Sequence, residues 1–194
     1  MLIVGTDAAA VETALVGGRL ACPNCGSVLR PWAHGTAREV RCRTGSQHRR
    51  PRRSICAGCR RTHVLLAEDT LVRRRDAVDV IGDALTAWVG GSGHRAIARV
   101  LGVPADTVRG WIRRFRLVAV RIRELFTRWA HVLDPGRGPV VPTGSAAGDA
   151  LDAIGVVGVL AVRRFGPRSP WALASTVTNG TLLANTSSPW SVPM

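Results

Sequence analysis

Two pairs of cysteines, each with two residues between its members, are the part of the sequence best suited to chemistry. Cys22 and Cys25 lie in the segment CPNCG, and Cys56 and Cys59 lie in the later segment CAGC. Four thiolates close a tetrahedral structural zinc site. We therefore predict that the four cysteines bind one Zn²⁺ ion in a zinc ribbon. Such a small sheet buries too little apolar area to fold alone, so the metal would supply its folding energy.

Two other uses of these cysteines fit the sequence less well. A thioredoxin-like redox pair begins a helix within a βαβ unit, which the pattern lacks. A disulfide framework fits poorly with five cysteines, an odd number. Cys42 is left over, and we expect a free or buried thiol in a strand. His34, His48 and His63 are alternative ligands; His63 is nearest to the second pair, but we expect a surface or strand residue. Whether Cys42 or His63 joins the metal stays open.

Residues 90–115, GGSGHRAIARVLGVPADTVRGWIRRF, contain a second pattern, that of two helices joined by a tight turn. Ser92 is suited to cap the first helix, in which Ile97 and Leu101 face inward. Gly102 supplies the turn, and Pro104 fits the first positions of the next helix, where no N–H is needed. The spacing predicts a helix-turn-helix.

The second helix of this pair is amphipathic. Its inner stripe consists of Val108, Trp111, Ile112 and Phe115, and its outer face presents Ala105, Asp106, Thr107, Arg109, Gly110 and Arg113. A recognition helix for the DNA major groove has this construction. An ordinary helical hairpin with a solvated basic face is the alternative. The apolar pattern continues to about Leu133, as one long helix or as two with a kink.

This pattern resembles the homeodomain-like helix-turn-helix in the N-terminal DNA-binding half of insertion-sequence transposases and in resolvases, where IA..LGV...TV..W..RF recurs. The match covers residues 97–115, with Pro104 where such motifs often have a Ser or Thr cap. The resemblance implies that Thr107, Arg109 and Arg113 approach bases. It also implies that phosphates are bound by Arg95, Arg99, Arg114 and Arg116.

The whole chain is similar to a family of uncharacterised actinobacterial proteins that share LIVGTD…LACPNCG, RRSICAGCRRTHVLL and TVRGWIRRF. That likeness implies a zinc-ribbon and helix-turn-helix DNA-binding protein tied to mobile elements.

The charge points to a polyanionic partner. The formal net charge is +14, and all 27 basic residues are arginine. A GC-rich genome accounts for arginine in place of lysine but not for the excess over acids. Residues 30–61 hold ten arginines and one acid, Glu39. Within this block we predict that phosphates are bound by Arg49, Arg50, Arg52 and Arg53, because the guanidinium fork donates two parallel hydrogen bonds.

The sequence lacks the residues of a catalytic site. DNA-strand transfer needs clustered carboxylates to hold metal ions. After residue 133 the remaining acids are Asp134, Asp149 and Asp152, and we expect Asp149 and Asp152 on the solvent side of a helix. A G-x-S-x-G elbow and a GxxxxGK[ST] loop are also missing. We therefore expect no enzymatic activity.

Together these patterns predict an α+β protein: a small antiparallel zinc ribbon, a three-helix helix-turn-helix unit and a C-terminal helical extension. The expected division is a strand and helix (1–20), the ribbon (21–67), the helix-turn-helix domain (68–133), a Pro/Gly linker (134–144) and a helical segment with a flexible tail (145–194). The apolar helix at 153–162 must be covered, either by dimerisation or by packing on the helix-turn-helix.

The predicted function is sequence-specific binding of double-stranded DNA, as a transcriptional regulator or as a non-catalytic accessory of a separately encoded transposase or integrase. The alternatives are an adaptor that docks on a polymerase or recombinase, and a remnant of a truncated transposase. The N-terminus lacks the pattern of a signal peptide, and no apolar run approaches the roughly 18–20 residues of a membrane span. We expect a cytoplasmic protein with no membrane partner.

Overall fold

The computed structural model describes residues 1–138, 141–142, 144–184 and 190, and it confirms the α+β class. The strands are β1 (Leu2–Val4), β2 (Leu29–His34), β3 (Arg38–Cys42), β4 (Gly45–Arg49), β5 (Arg52–Cys56) and β6 (Thr62–Ala67). The helices are α1 (Ala8–Val16), α2 (Val78–Val89), α3 (His94–Leu101), α4 (Ala105–Leu133), α5 (Ala146–Phe165) and α6 (Pro170–Val177).

A four-stranded mixed sheet in the order β1-β6-β5-β2 carries both cysteine pairs. Strands β2, β5 and β6 are antiparallel, whereas β1 runs parallel to β6. Asp7 caps helix α1, and its carboxylate accepts hydrogen bonds from the N–H groups of Ala9 and Ala10. The helix packs on β2 and contributes Leu15 to a small core with Leu29 and Leu65.

Strands β3 and β4 pair with each other in a second, two-stranded sheet that is separate from the cysteine-bearing sheet. Residues 38–42 lie within the expected ribbon region (21–67), but β3 pairs with β4 and not with the cysteine-bearing sheet. Val40 on β3 is fully buried in the core of the helices. Arg41 reaches the buried Asp76 just before α2 at 2.7 Å. These contacts hold the hairpin against the helical half of the chain.

Helices α2 to α6 share one large core. Helix α4 is a single uninterrupted helix of 29 residues, so the kinked alternative is not what the chain adopts. Its apolar stripe packs along α5, whose buried face includes Ala150, Ile154 and Val157. The helix predicted to need a cover therefore finds one within its own chain. Ser145 caps α5, and Ser169 followed by Pro170 opens α6.

Two glycines, one on α2 and one on α5, allow α6 to pack closely against these helices. A Cβ on Gly82 of α2 would overlap the indole of Trp171, and a Cβ on Gly158 of α5 would lie 2.7 Å from Pro170. These positions therefore require a residue without a side chain. Within the described residues, none of the helices combines the length and apolar composition that a membrane span requires.

The segment predicted as a linker has no helix or strand in its described part, and its residues 139, 140 and 143 lie outside the description. The predicted tail, residues 186–194, lies outside it except for Trp190, which packs against the large core.

Candidate metal centre and basic surface

The four predicted cysteines come together in one cluster, so this part of the prediction is confirmed. Their Sγ atoms all lie within 4.8 Å of one another. The Cys22 and Cys59 sulfurs are 3.8 Å apart, and those of Cys25 and Cys56 are 3.4 Å apart. Tetrahedral Zn–S bonds of about 2.3 Å place sulfurs about 3.8 Å from each other. The donor set and its spacing thus fit a thiolate-bound metal ion such as Zn²⁺.

Two similar turns position the sulfurs. The first cysteine turn (residues 22–26) precedes β2, and the second cysteine turn (residues 56–60) joins β5 to β6. Backbone N–H groups donate to sulfur in both: Asn24 to Cys22, and Cys59 to Cys56, each at 3.4 Å. Such donors stabilise thiolates. In the second turn, a Cβ on Gly58 would overlap the hydroxyl of Ser27, so the two turns approach each other closely.

The environments of the sulfurs differ before any metal binds. Hydrogen bonds from the backbone and side chain of Ser27 lower the pKa of the Cys25 thiol to about 6. Burial raises the pKa of the Cys56 thiol to about 11. A bound cation would deprotonate all four cysteines, since it is the thiolate that ligates metal.

His63, which the sequence left open as a possible ligand, adjoins this cluster. Its ring is buried, with Nε2 3.3 Å from Cys22 Sγ. The expectation of a plain surface or strand residue is half right: His63 lies on β6 but faces inward with Leu65, two residues along the strand. The period-two alternation of β6 is the signal that could have found it. Cys42 lies on β3, outside the cluster.

The predicted helix pair occupies 94–133 as α3 and α4. Gly102 ends α3 in the left-handed conformation (φ +63°), and the buried Val103 fills the turn. The expectation that Ser92 caps α3 is wrong: the N-cap is Gly93, with no side-chain cap. The Ser92 N–H instead bonds the carbonyl of Ala87, so Ser92 belongs to the turn that ends α2.

The outer faces of α3 and α4 carry exposed arginines. Of the predicted residues here, five are exposed, namely Arg95, Arg99, Arg109, Arg113 and Arg116, and two are half-buried, namely Thr107 and Arg114. Among the described residues, none of the five exposed arginines has an acidic partner. We call these five the helical arginine face.

An open groove of about 540 Å³ borders this face, lined by Trp88, His94, Arg109, Arg113 and Arg116 among others. The guanidinium of Arg116 lies 4.7 Å above the Trp88 ring. Arg114 differs from its neighbours: it bends back to donate to the Gly110 carbonyl at 3.0 Å.

The predicted arginines of the sheet are mostly engaged within the chain. Arg49 forms a two-pronged ion pair with Asp69 at 2.5 and 2.7 Å, and Arg52 pairs with Glu12. Arg53 is half-buried, with one long hydrogen bond to Thr62. Arg50 is exposed and donates one long hydrogen bond to the Gly35 carbonyl, at 3.4 Å. Of these four, Arg50 is the one most available to an external anion.

Asp149 was expected on the solvent side of its helix, and that is wrong. It is buried on α5 and faces α4, with Oδ2 3.4 Å from Arg123. The helix turns this side inward because Ala150, Ala153 and Val157 pack against α4. Asp152 is exposed, as expected.

No family model matches the sequence, and comparison with curated proteins and with solved structures finds no significant match. The family resemblances seen in the sequence motifs therefore remain expectations.

Proposed function

We propose that the protein binds double-stranded DNA in a sequence-specific manner, with one Zn²⁺ ion held by Cys22, Cys25, Cys56 and Cys59. It would act as a transcriptional regulator or as a non-catalytic accessory of a transposon. The observation that carries the proposal is the helical arginine face: five exposed arginines, on the outer side of a tightly turned helix pair, to which the described part of the chain offers no acidic partner.

The distribution of acids supports an external anion as the partner of this face. The ion pairs among the described residues engage Arg41, Arg43, Arg49, Arg52 and Arg123, all outside it. The helical arginine face thus keeps its charge within a chain of net charge +14. Regularly spaced phosphates would neutralise such a surface and release counterions.

The first turns of α4 have the form needed to contact bases. Val108, Ile112 and Phe115 are anchored in the core, while Arg109 and Arg113 project outward one helical turn apart. An α-helix fits the major groove, where arginine donates two hydrogen bonds to guanine. Arg95 and Arg99 on α3 would contact the flanking backbone, the role that phosphate contacts play in fixing orientation.

The metal site supports a structural role for Zn²⁺. Four cysteines complete a tetrahedral site and leave no open position for water or substrate. The metal would hold the two cysteine turns together and fix β2, β5 and β6, which otherwise share only a small core.

The test is selection of random duplex DNA by the zinc-loaded protein, repeated with Arg109→Ala and Arg113→Ala. Each substitution should abolish enrichment of the selected motif at its position and cost about 1–3 kcal/mol of specific binding. Arg128→Ala, an exposed arginine farther along α4, is the charge-matched control and should retain the motif.

Two outcomes would count against the proposal. Salt-sensitive binding with no enriched motif would favour the adaptor that docks on a polymerase or recombinase. Equal loss in Arg128→Ala and in Arg109→Ala would reduce the helical arginine face to a general electrostatic surface.

A further inference from the structure

A second basic site lies away from the helical arginine face, in a cavity of about 670 Å³. The first residues of α1, the ends of β1 and β6, the β3–β4 hairpin and the link between β4 and β5 surround it. Its volume lies within the roughly 300–1,000 Å³ typical of small-molecule sites. The cavity is thus large enough for an organic molecule.

The wall of this cavity has an apolar part and a cationic part. The apolar part includes the half-buried Val4, Val11 and Ala67. The cationic part consists of Arg38, Arg49, Arg50 and Arg52, with His34 and His48 beside them. Glu12 is the single carboxylate in the lining, and it is already paired with Arg52. The lining therefore carries an excess of positive charge next to apolar surface.

Among the described arginines of this lining, Arg38 is the half-buried one without an acidic partner. It lies directly across the β3–β4 ladder from Arg49. Arg49 has Asp69 as its partner, whereas Arg38 has no acidic partner among the described residues, and its buried Nε lacks any hydrogen bond. Burial and the neighbouring Arg49 charge both lower the pKa of Arg38. A half-buried cation beside another cation is costly unless an anion joins it.

We propose that this cavity binds a small organic anion, an acidic head group on an apolar body, with Arg38 as its main anchor and Arg50 at its rim. The apolar lining favours such a molecule over a DNA strand, whose backbone would offer phosphates but nothing to cover the half-buried Val4, Val11 and Ala67. The site is separate from the helical arginine face. The proposal therefore does not depend on DNA binding by α4.

The test uses 8-anilino-1-naphthalenesulfonate, a fluorescent anion with an apolar body, on the full zinc-loaded chain. Arg38→Gln should weaken its binding by about tenfold, the loss expected for one charged hydrogen bond. Arg50→Gln, at an exposed position, should weaken it less and guards against misfolding of the first variant. Arg128→Gln removes the same charge elsewhere and should bind as the wild type does.

A neutral analogue separates the two parts of the proposed ligand. N-phenyl-1-naphthylamine has a similar apolar body without the sulfonate, so its binding should not change in Arg38→Gln. Equal affinity of the wild type and both cavity variants for the sulfonate would overturn the proposal. So would displacement of the dye by a 20-base-pair duplex that depends on Arg38, because the cavity would then belong to a DNA surface.

Discussion

Gly26 and Arg60 occupy equivalent places in the two cysteine turns, each directly after the second cysteine of its pair, and both have a positive φ. The value is +75° for Gly26 and +60° for Arg60. Glycine adopts this left-handed conformation without cost, whereas an L-residue with a Cβ is strained there. The second cysteine turn therefore contains a strained arginine where the first contains the residue best suited to it.

We expect Arg60→Gly to raise stability by about 1 kcal/mol, because it removes this strain. Arg60→Ala is the matched control, since it removes the same side chain but keeps the Cβ, and it should gain nothing. The measurement is guanidinium unfolding of the zinc-loaded proteins. Equal unfolding midpoints of the glycine and alanine variants would contradict the prediction.

Gly26→Ala should have the opposite effect. It introduces a Cβ at φ +75° in open space, so the expected loss of about 1 kcal/mol comes from backbone strain alone. The same unfolding assay measures it, and a variant as stable as the wild type would contradict the assignment.

His63 should tune the affinity of the cysteine cluster for its metal. Its Nε2 lies within contact distance of Cys22 Sγ, so it can hold that sulfur in place by a hydrogen bond. Loss of such a supporting group typically costs 10–100-fold in metal affinity. We expect a weakening of about that size in His63→Ala, measured by competition with a chromophoric zinc chelator. His131→Ala, an exposed histidine on α4, should bind zinc as the wild type does; equal affinities in the two variants would remove His63 from the site.

Gly82 and Gly155 are both inside helices, yet alanine should have opposite effects at the two positions. At Gly82 the new methyl group overlaps the Trp171 indole, and overpacking of this kind costs about 1–3 kcal/mol. At Gly155 nothing lies within 4 Å, so alanine should gain up to about 1 kcal/mol of helix propensity. Thermal unfolding followed by circular dichroism measures both changes. A neutral Gly82→Ala would show that α6 is not packed as described.

Removal of the metal should affect the two cores differently. The small core around Leu15, Leu29 and Leu65 includes the buried ligands Cys22 and Cys56, whereas the large core of α2 to α6 includes no ligand. After chelation, we expect hydrogen exchange measured by mass spectrometry to accelerate in β2, β5 and β6 while α4 and α5 stay protected. Uniform loss of protection would mean that the two cores unfold as one unit.

Local patterns predicted the parts of the chain whose structure depends on neighbouring residues. Each cysteine pair forms its own turn from neighbouring residues. The long-range part of the prediction was that the two turns lie close enough to share one metal ion. The apolar stripe of Val108, Trp111, Ile112 and Phe115 and the turn at Gly102 likewise depend on residues close in sequence.

The features that sequence reasoning missed depend on distant contacts. The β3–β4 hairpin is separate from the cysteine-bearing sheet because Val40 packs among the helices and Arg41 forms an ion pair with Asp76. Asp149 faces inward because α5 packs along α4. The engagement of Arg49 by Asp69 and of Arg52 by Glu12 likewise could not be seen in a count of charges.

The unbroken course of α4 has a mechanical consequence. At about 1.5 Å per residue, its 29 residues form a rod about 43 Å long. Arg109 and Arg113 are near one end, and Phe126 and Ala130 are buried near the other. A rod without a hinge transmits a tilt applied at the arginine end to its far end, as a lever does. A partner that binds one end of α4 would therefore set the orientation of the opposite end of the helix.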